Sequence, residues 1–189
     1  MLSILAGFMI AVGGIVYLSV GGIGGALLFA VGLMTVCYYK LELFTGKIGL
    51  LPTGEITGKK LLEIWIGNFI GSFMAAGLMV GTPKYDALRS GAAAIVKTRL
   101  ANGHIANLVL GIFCGLLMYI AVNGYAMFGN IVCVYVPVAV FILAGFNHCV
   151  ADMFYLHMAG AAIEDYIVLV PTTFGNVIGG CLLPTFKTL

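Results

Sequence analysis

A histidine, an asparagine, a cysteine and an aspartate stand together in Gly145-Phe146-Asn147-His148-Cys149-Val150-Ala151-Asp152-Met153, inside an otherwise apolar run. Side chains of these types transfer protons, attack carbonyls or hydrogen-bond a small solute. His148 and Asp152 are four apart and would share one face of a helix. Cys149 directly follows His148 and would point elsewhere, so no nucleophile sits beside a base, and an intramembrane enzyme is the weakest of the readings. A charged side chain at a bilayer centre costs roughly 2.5–3.5 kcal/mol, which makes ionisable residues retained there functional candidates by default. His148 therefore reads either as the middle of a membrane passage or as a buried histidine bonded to a neighbouring carbonyl. His104 and His157 lie near the ends of apolar runs and read as surface residues.

Hydrophobic residues make up 62% of the chain and charged ones 8%. A soluble domain is excluded, since apolar content near half and charge near a quarter are usual there. The composition is that of an all-α integral membrane protein in contact with the lipid bilayer. Six apolar runs, 1–20, 23–39, 64–80, 105–122, 131–146 and 167–183, each approach the ~20 residues that cross ~30 Å of hydrocarbon as a helix. Together they fill nearly the whole chain, so 1–189 is expected to be a single membrane domain whose function sits between its helices. Met1 opens an apolar run with no basic segment before it and no small-residue cleavage site, and reads as the start of a first span rather than a signal peptide. The five cysteines lie in these runs without a Cys-x-x-Cys spacing, so neither a disulfide framework nor a metal site is indicated. No cofactor and no nucleic-acid partner are implied. Basic residues are nearly balanced across the membrane: Lys47, Lys59 and Lys60 on one connection, Lys84, Arg89, Lys97 and Arg99 on the next. Charge therefore does not set the orientation.

Two places break the apolar pattern. The second run ends in Lys40-Leu41-Glu42-Leu43-Phe44-Thr45-Gly46-Lys47, with three charges in eight residues. Non-helical backbone at membrane depth is tolerated only where protein or water surrounds it. This segment is either a loop lining a passage or, with Gly46 and Pro52 nearby, an ordinary helix end. The long polar connection 82–103 contains 85–100, which reads either as an amphipathic interfacial helix or as a solvated linker.

The halves 1–81 and 104–189 echo each other. Gly67-Asn68-x-Ile70-Gly71 matches Gly175-Asn176-x-Ile178-Gly179, and Gly7 is as far from Phe44 as Gly111 is from His148. That spacing sets Phe44 against His148. With three spans in each half, the halves must be inverted, and interrupted helices at corresponding positions of inverted repeats point to a transport site near the midplane.

The ordered set of motifs resembles the formate/nitrite transporter family over essentially the whole chain. It consists of Leu43-Phe44-Thr45, Leu110-Gly111-Ile112-x-Cys114, Pro137-Val138-Ala139-x-Phe141, Gly145-Phe146-x-His148 and Gly175-Asn176-x-Ile178-Gly179-Gly180. The resemblance implies an aquaporin-like protomer of six transmembrane helices in an inverted 3+3 repeat, with the second and fifth interrupted. It further implies a homopentamer in the cytoplasmic (inner) membrane, passing small monovalent weak-acid anions such as formate, nitrite or hydrosulfide, or their conjugate acids. By position, Phe29, Leu33, Leu43, Phe44 and Phe141 would form two apolar constrictions, and His148, Thr45, Asn176 and Asn147 the polar layer between them. Against the family pattern the chain is expected to lack an amphipathic N-terminal extension and most of the fifth-to-sixth connection. Asn147 stands where glutamate is common, Asp152 where asparagine is common, and Asn130 where a vestibule lysine is usual. Lys40 would substitute for that lysine. A channel for small neutral solutes such as ammonia or water is the competing reading.

Overall fold

The computed structural model describes residues 1–187, so Thr188 and Leu189 of the expected domain lie outside the described residues. Every regular element among them is helical. The first run forms α1 (Leu2–Val20), an apolar stretch without proline. It stops at Gly21 and Gly22, whose φ values of 69° and 54° only glycine adopts without penalty. The chain reverses there into α2 (Gly22–Tyr38). A short α3 (Phe44–Lys47) and a 3-10 turn (Ile48–Leu50) follow the break. The next helix, α4 (Gly58–Met79), is capped by Thr57, whose hydroxyl accepts the Lys60 N–H at 3.2 Å.

The long polar connection is helical and packed. It is the first part of α5 (Tyr85–Phe128), which changes direction at Gly103, where φ is 73°. Leu88, Ala92 and Val96, one helical turn apart, are buried. The solvated-linker alternative therefore does not hold, because this stripe docks on the core. The fifth apolar run is not one continuous helix either. It forms α6 (Val132–Leu143), stops at Gly145 with φ 73°, and resumes as α7 (Cys149–Ala159). A 3-10 turn (Ile163–Val168) then leads into α8 (Leu169–Lys187).

Among the described residues, four segments are long and apolar enough to cross a membrane: Leu2–Val20, Gly58–Met79, Tyr85–Phe128 and Ile163–Phe186. The helices α2 and α6 are shorter. At 1.5 Å per residue α6 rises about 18 Å, short of the ~30 Å of hydrocarbon. Their outer faces are as apolar as those of the long helices, with Ile23, Leu27, Val136 and Val140 exposed alongside Phe73, Leu78 and Phe113.

In lipid there is no solvent-driven association of helices, so close backbone approach must hold them. Glycine provides it at several crossings, two of which match between the halves. A Cβ on Gly71 would run into the Ile4 carbonyl, joining α4 to α1, and one on Gly179 would run into the Ile112 carbonyl, joining α8 to α5. Gly7 faces the Asn68 backbone and Gly115 the Asn176 backbone in the same way. Gly71→Ala should therefore destabilise the protein by about 1–3 kcal/mol, the usual cost of overpacking. Gly77→Ala, in the same helix with nothing within 4 Å of its Cβ, should not. Equal unfolding midpoints in detergent for the two variants would show that α1 and α4 do not depend on this contact.

Candidate functional site

The breaks after α2 and α6 leave backbone groups without helical partners, and one asparagine serves each. At the first, Asn68 Oδ1 accepts the Phe44 N–H at 2.8 Å, while its Nδ2 donates to Ser3 O at 2.7 Å and Glu42 O at 3.0 Å. At the second, Asn176 Oδ1 accepts the Cys149 N–H at 2.9 Å, and its Nδ2 donates to Gly111 O and Asn147 O, both at 2.8 Å. Both asparagines are fully buried. These bonds correct the register read from spacing. Phe44 N–H corresponds to Cys149 N–H and Glu42 O to Asn147 O, so Leu43, the N-cap of α3, corresponds to His148, the N-cap of α7. The equal spacing had set Phe44 against His148; the caps, which are local to each break, shift the match by one residue.

His148 caps α7 with its side chain: Nδ1 accepts the Ala151 N–H at 3.1 Å. That bond uses the Nδ1 lone pair, which places the proton of the neutral ring on Nε2. Nε2 lies 2.8 Å from Thr45 Oγ1, so the imidazole donates to the hydroxyl and leaves the hydroxyl hydrogen free to donate onward. The ring stacks on Phe141 at 5.6 Å, and Phe141 meets the edge of Phe29 at 5.8 Å. His148, Thr45, Phe29, Leu33 and Leu43 are each at most 2% exposed.

Two cavities approach this layer. One, of about 150 Å³, is lined by Tyr17, Arg99, Phe141, His148 and Asp152 among others. The second, of about 610 Å³, is lined by Lys40, Leu43, Lys47, Tyr119 and Tyr125 among others. His148 and its counterpart Leu43 thus belong to different cavities. Phe29, Leu33, Phe44, Thr45, Asn147 and Asn176 line neither. Asn147 turns away from the cavities: its Nδ2 donates to Asn107 Oδ1 at 2.8 Å, and Asn107 in turn donates to Arg99 O at 2.7 Å. Lys40 adopts φ 51°, uncommon for a residue with a side chain, at the rim of the larger cavity.

Lys47 and Arg99 are charged cavity residues that the motifs do not mark. In the sequence Lys47 is one charge beside a break and Arg99 one charge on the connection. Arg99 falls on the same helical face as Leu88, Ala92 and Val96, a signal that was present in the spacing. Its partner, Asp152 Oδ1 at 3.2 Å, was not legible. His157 is not the surface residue its position suggested. Its Nδ1 is 2.7 Å from the Tyr166 hydroxyl and its ring lies edge-on to Phe69 and Phe73. His104 is exposed.

Removing the Asn176 amide orphans three buried backbone groups, at about 1–3 kcal/mol each. Asn176→Ala, and equally Asn68→Ala, should lower the thermal unfolding midpoint in detergent more than any single cavity-lining substitution. Midpoints matching the unsubstituted protein would mean that these amides do not hold the breaks.

Comparison with known proteins agrees with this architecture. The family model for the formate/nitrite transporter matches residues 1–188. A "Probable formate transporter" of Methanothermobacter thermautotrophicus is 29% identical, over 96% of this chain and 84% of its own. Formate channel BtFdhC of Bacillus thuringiensis is 30% identical, over 84% of this chain and 68% of its own. Among solved structures, a pentameric formate channel with formate bound superposes with a TM-score of 0.84 at 26% identity, covering 100% of this chain and 94% of that one. An FNT family ion channel does so at 0.82 and 19% identity, over 98% and 86%, which is a likeness of fold. With its apolar helices, its two bracketed breaks and a family match along nearly all its length, the chain is a multi-pass membrane protein that belongs to the formate/nitrite transporter family.

Proposed function

We propose that this chain is one protomer of a homopentameric channel in a cytoplasmic membrane, and that it passes small monovalent weak acids of the formate, nitrite or hydrosulfide class. Its six spans would be α1, α2 with α3, α4, the part of α5 after Gly103, α6 with α7, and α8, arranged as an inverted 3+3 repeat. The matching asparagine brackets and glycine crossings of the two halves support that arrangement. Formate channels among the relatives, one of them a pentamer, support the substrate class and the assembly.

The observation that carries the reading is the paired His148 and Thr45, buried between two cavities beside Phe29, Leu33, Leu43 and Phe141. Moving a bare anion through such an apolar layer costs up to tens of kcal/mol by Born solvation. Protonating an acid whose pKa lies three units below ambient pH costs about 4 kcal/mol. The neutral acid is therefore the crossing species, and the Thr45 hydroxyl, polarised by His148 Nε2–H, donates to it. Phe44 closes the layer from the first break, and Asn147 and Asn176 support it from behind. Lys40 and Lys47 gather the anion in the larger cavity, the role the family resemblance assigns to the lysine that Asn130 replaces.

In proteoliposomes, uptake of formate should rise as external pH falls, by about tenfold per unit while the anion predominates, in proportion to the neutral acid. His148→Ala should reduce that uptake without dispersing the oligomer. Flux of ammonia or water that ignores pH, or no flux through an assembled protein, would refute the weak-acid reading.

A further inference from the structure

The smaller cavity contains a charged pair that the crossing layer does not use. Arg99 Nε donates to Asp152 Oδ1 at 3.2 Å, and Arg99 Nη1 donates to Gly145 O at 3.2 Å. The Arg99 side chain is 13% exposed and that of Asp152 only 2%. Of the seven acidic residues, Asp152 alone is buried. Its Oδ2 has no hydrogen-bond partner among the described residues, a costly state for a carboxylate oxygen. The Nη2 hydrogens of Arg99 are likewise unassigned to any acceptor among the described residues. Both residues line the cavity that His148 also lines, so an unpartnered buried acceptor and a cationic side chain belong to one wall of it. The corrected register adds a contrast: four residues beyond His148 stands Asp152, and four beyond Leu43 stands Lys47, each lining its own cavity.

We propose that Asp152 is the proton-exchange group at this end of the pathway, with Arg99 as the counterion it shares with the permeating anion. The proposal rests on the weak-acid reading above. On exit, the neutral acid gives its proton to Asp152 Oδ2: the O–H bond of the acid breaks, an O–H bond forms on the carboxylate, and the acid becomes the anion. Arg99 then exchanges the Asp152 carboxylate for that anion as its partner. The cavity holds one positive and one negative charge before the step and after it, so no net charge builds up in a low-dielectric place. Asp152 returns its proton to water, and on entry the sequence runs backwards. The ionisable groups around Asp152 are Arg99 and Cys114 of α5, Tyr17 of α1, and His148, Cys149 and Tyr155 at the start and middle of α7.

Asp152→Asn keeps the shape and the Oδ1 acceptor for Arg99 but cannot take up a proton. With formate as the probe in proteoliposomes, its flux should fall about a hundredfold, the low end for a positioned proton-transfer group. The flux that remains should follow the concentration of the neutral acid in bulk, and Asp152→Glu should restore part of what is lost. Flux and pH profile of Asp152→Asn equal to those of the unsubstituted protein overturn this proposal alone; absence of weak-acid flux in the unsubstituted protein overturns it together with the channel reading. Should Asp152→Asn fail to assemble, infrared difference spectra of the unsubstituted protein decide. Formate addition should produce a protonated-carboxyl C=O band that shifts in D2O, and spectra without that band overturn the proposal.

Discussion

Backbone groups inside hydrocarbon must be satisfied within the protein, and two interrupted helices break that rule unless something supplies the missing partners. Asn68 and Asn176 supply them. Each amide spends its two hydrogens on carbonyls and its oxygen on the first N–H after the break. The glycines flanking each asparagine let its helix approach the neighbouring backbone closely enough for those bonds to form. Helix crossing and break are thus one device: Gly67-Asn68-x-Ile70-Gly71 cannot hold the break unless α4 lies against α1, nor Gly175-Asn176-x-Ile178-Gly179 unless α8 lies against α5.

Once held, each break makes the residue just before the next helix its cap, and there the two halves diverge. Leu43 occupies one cap position and His148 the other. A leucine offers its helix start no side-chain acceptor and presents only hydrocarbon. A histidine binds the Ala151 N–H through Nδ1 and so is obliged to aim Nε2–H at Thr45. The polar centre of the molecule comes from one half, reached across to the other by a single hydroxyl.

The same asymmetry continues outward. Lys47 and Lys40 give the larger cavity a positive character, whereas the smaller one holds Arg99 and Asp152 as a balanced pair. Arg99 also binds Gly145 O, tying the first part of α5 to the second break. The segment before Gly103 therefore shapes a cavity wall as well as linking two spans.

Composition and run length by themselves determined a helical membrane protein, because 62% hydrophobic residues in stretches of nearly twenty have no other stable disposition. The ordered motifs determined the family, and the location of polar residues in apolar runs marked both breaks. Tertiary structure decided the rest. Spacing alone paired Phe44 with His148, since it matched Gly7 to Gly111, whereas the helix crossings match Gly7 to Gly115; the asparagine bonds and caps set Leu43 there. Asn147 and Asn176 are polar residues in apolar surroundings, but only the fold shows that their amides face backbone and Asn107 rather than a cavity. Arg99 and Asp152 are 53 residues apart in sequence, and no local pattern joins them. Their meeting depends on α5 bending at Gly103 and packing Leu88, Ala92 and Val96 against the core, because burial of that stripe is what brings the guanidinium to the carboxylate.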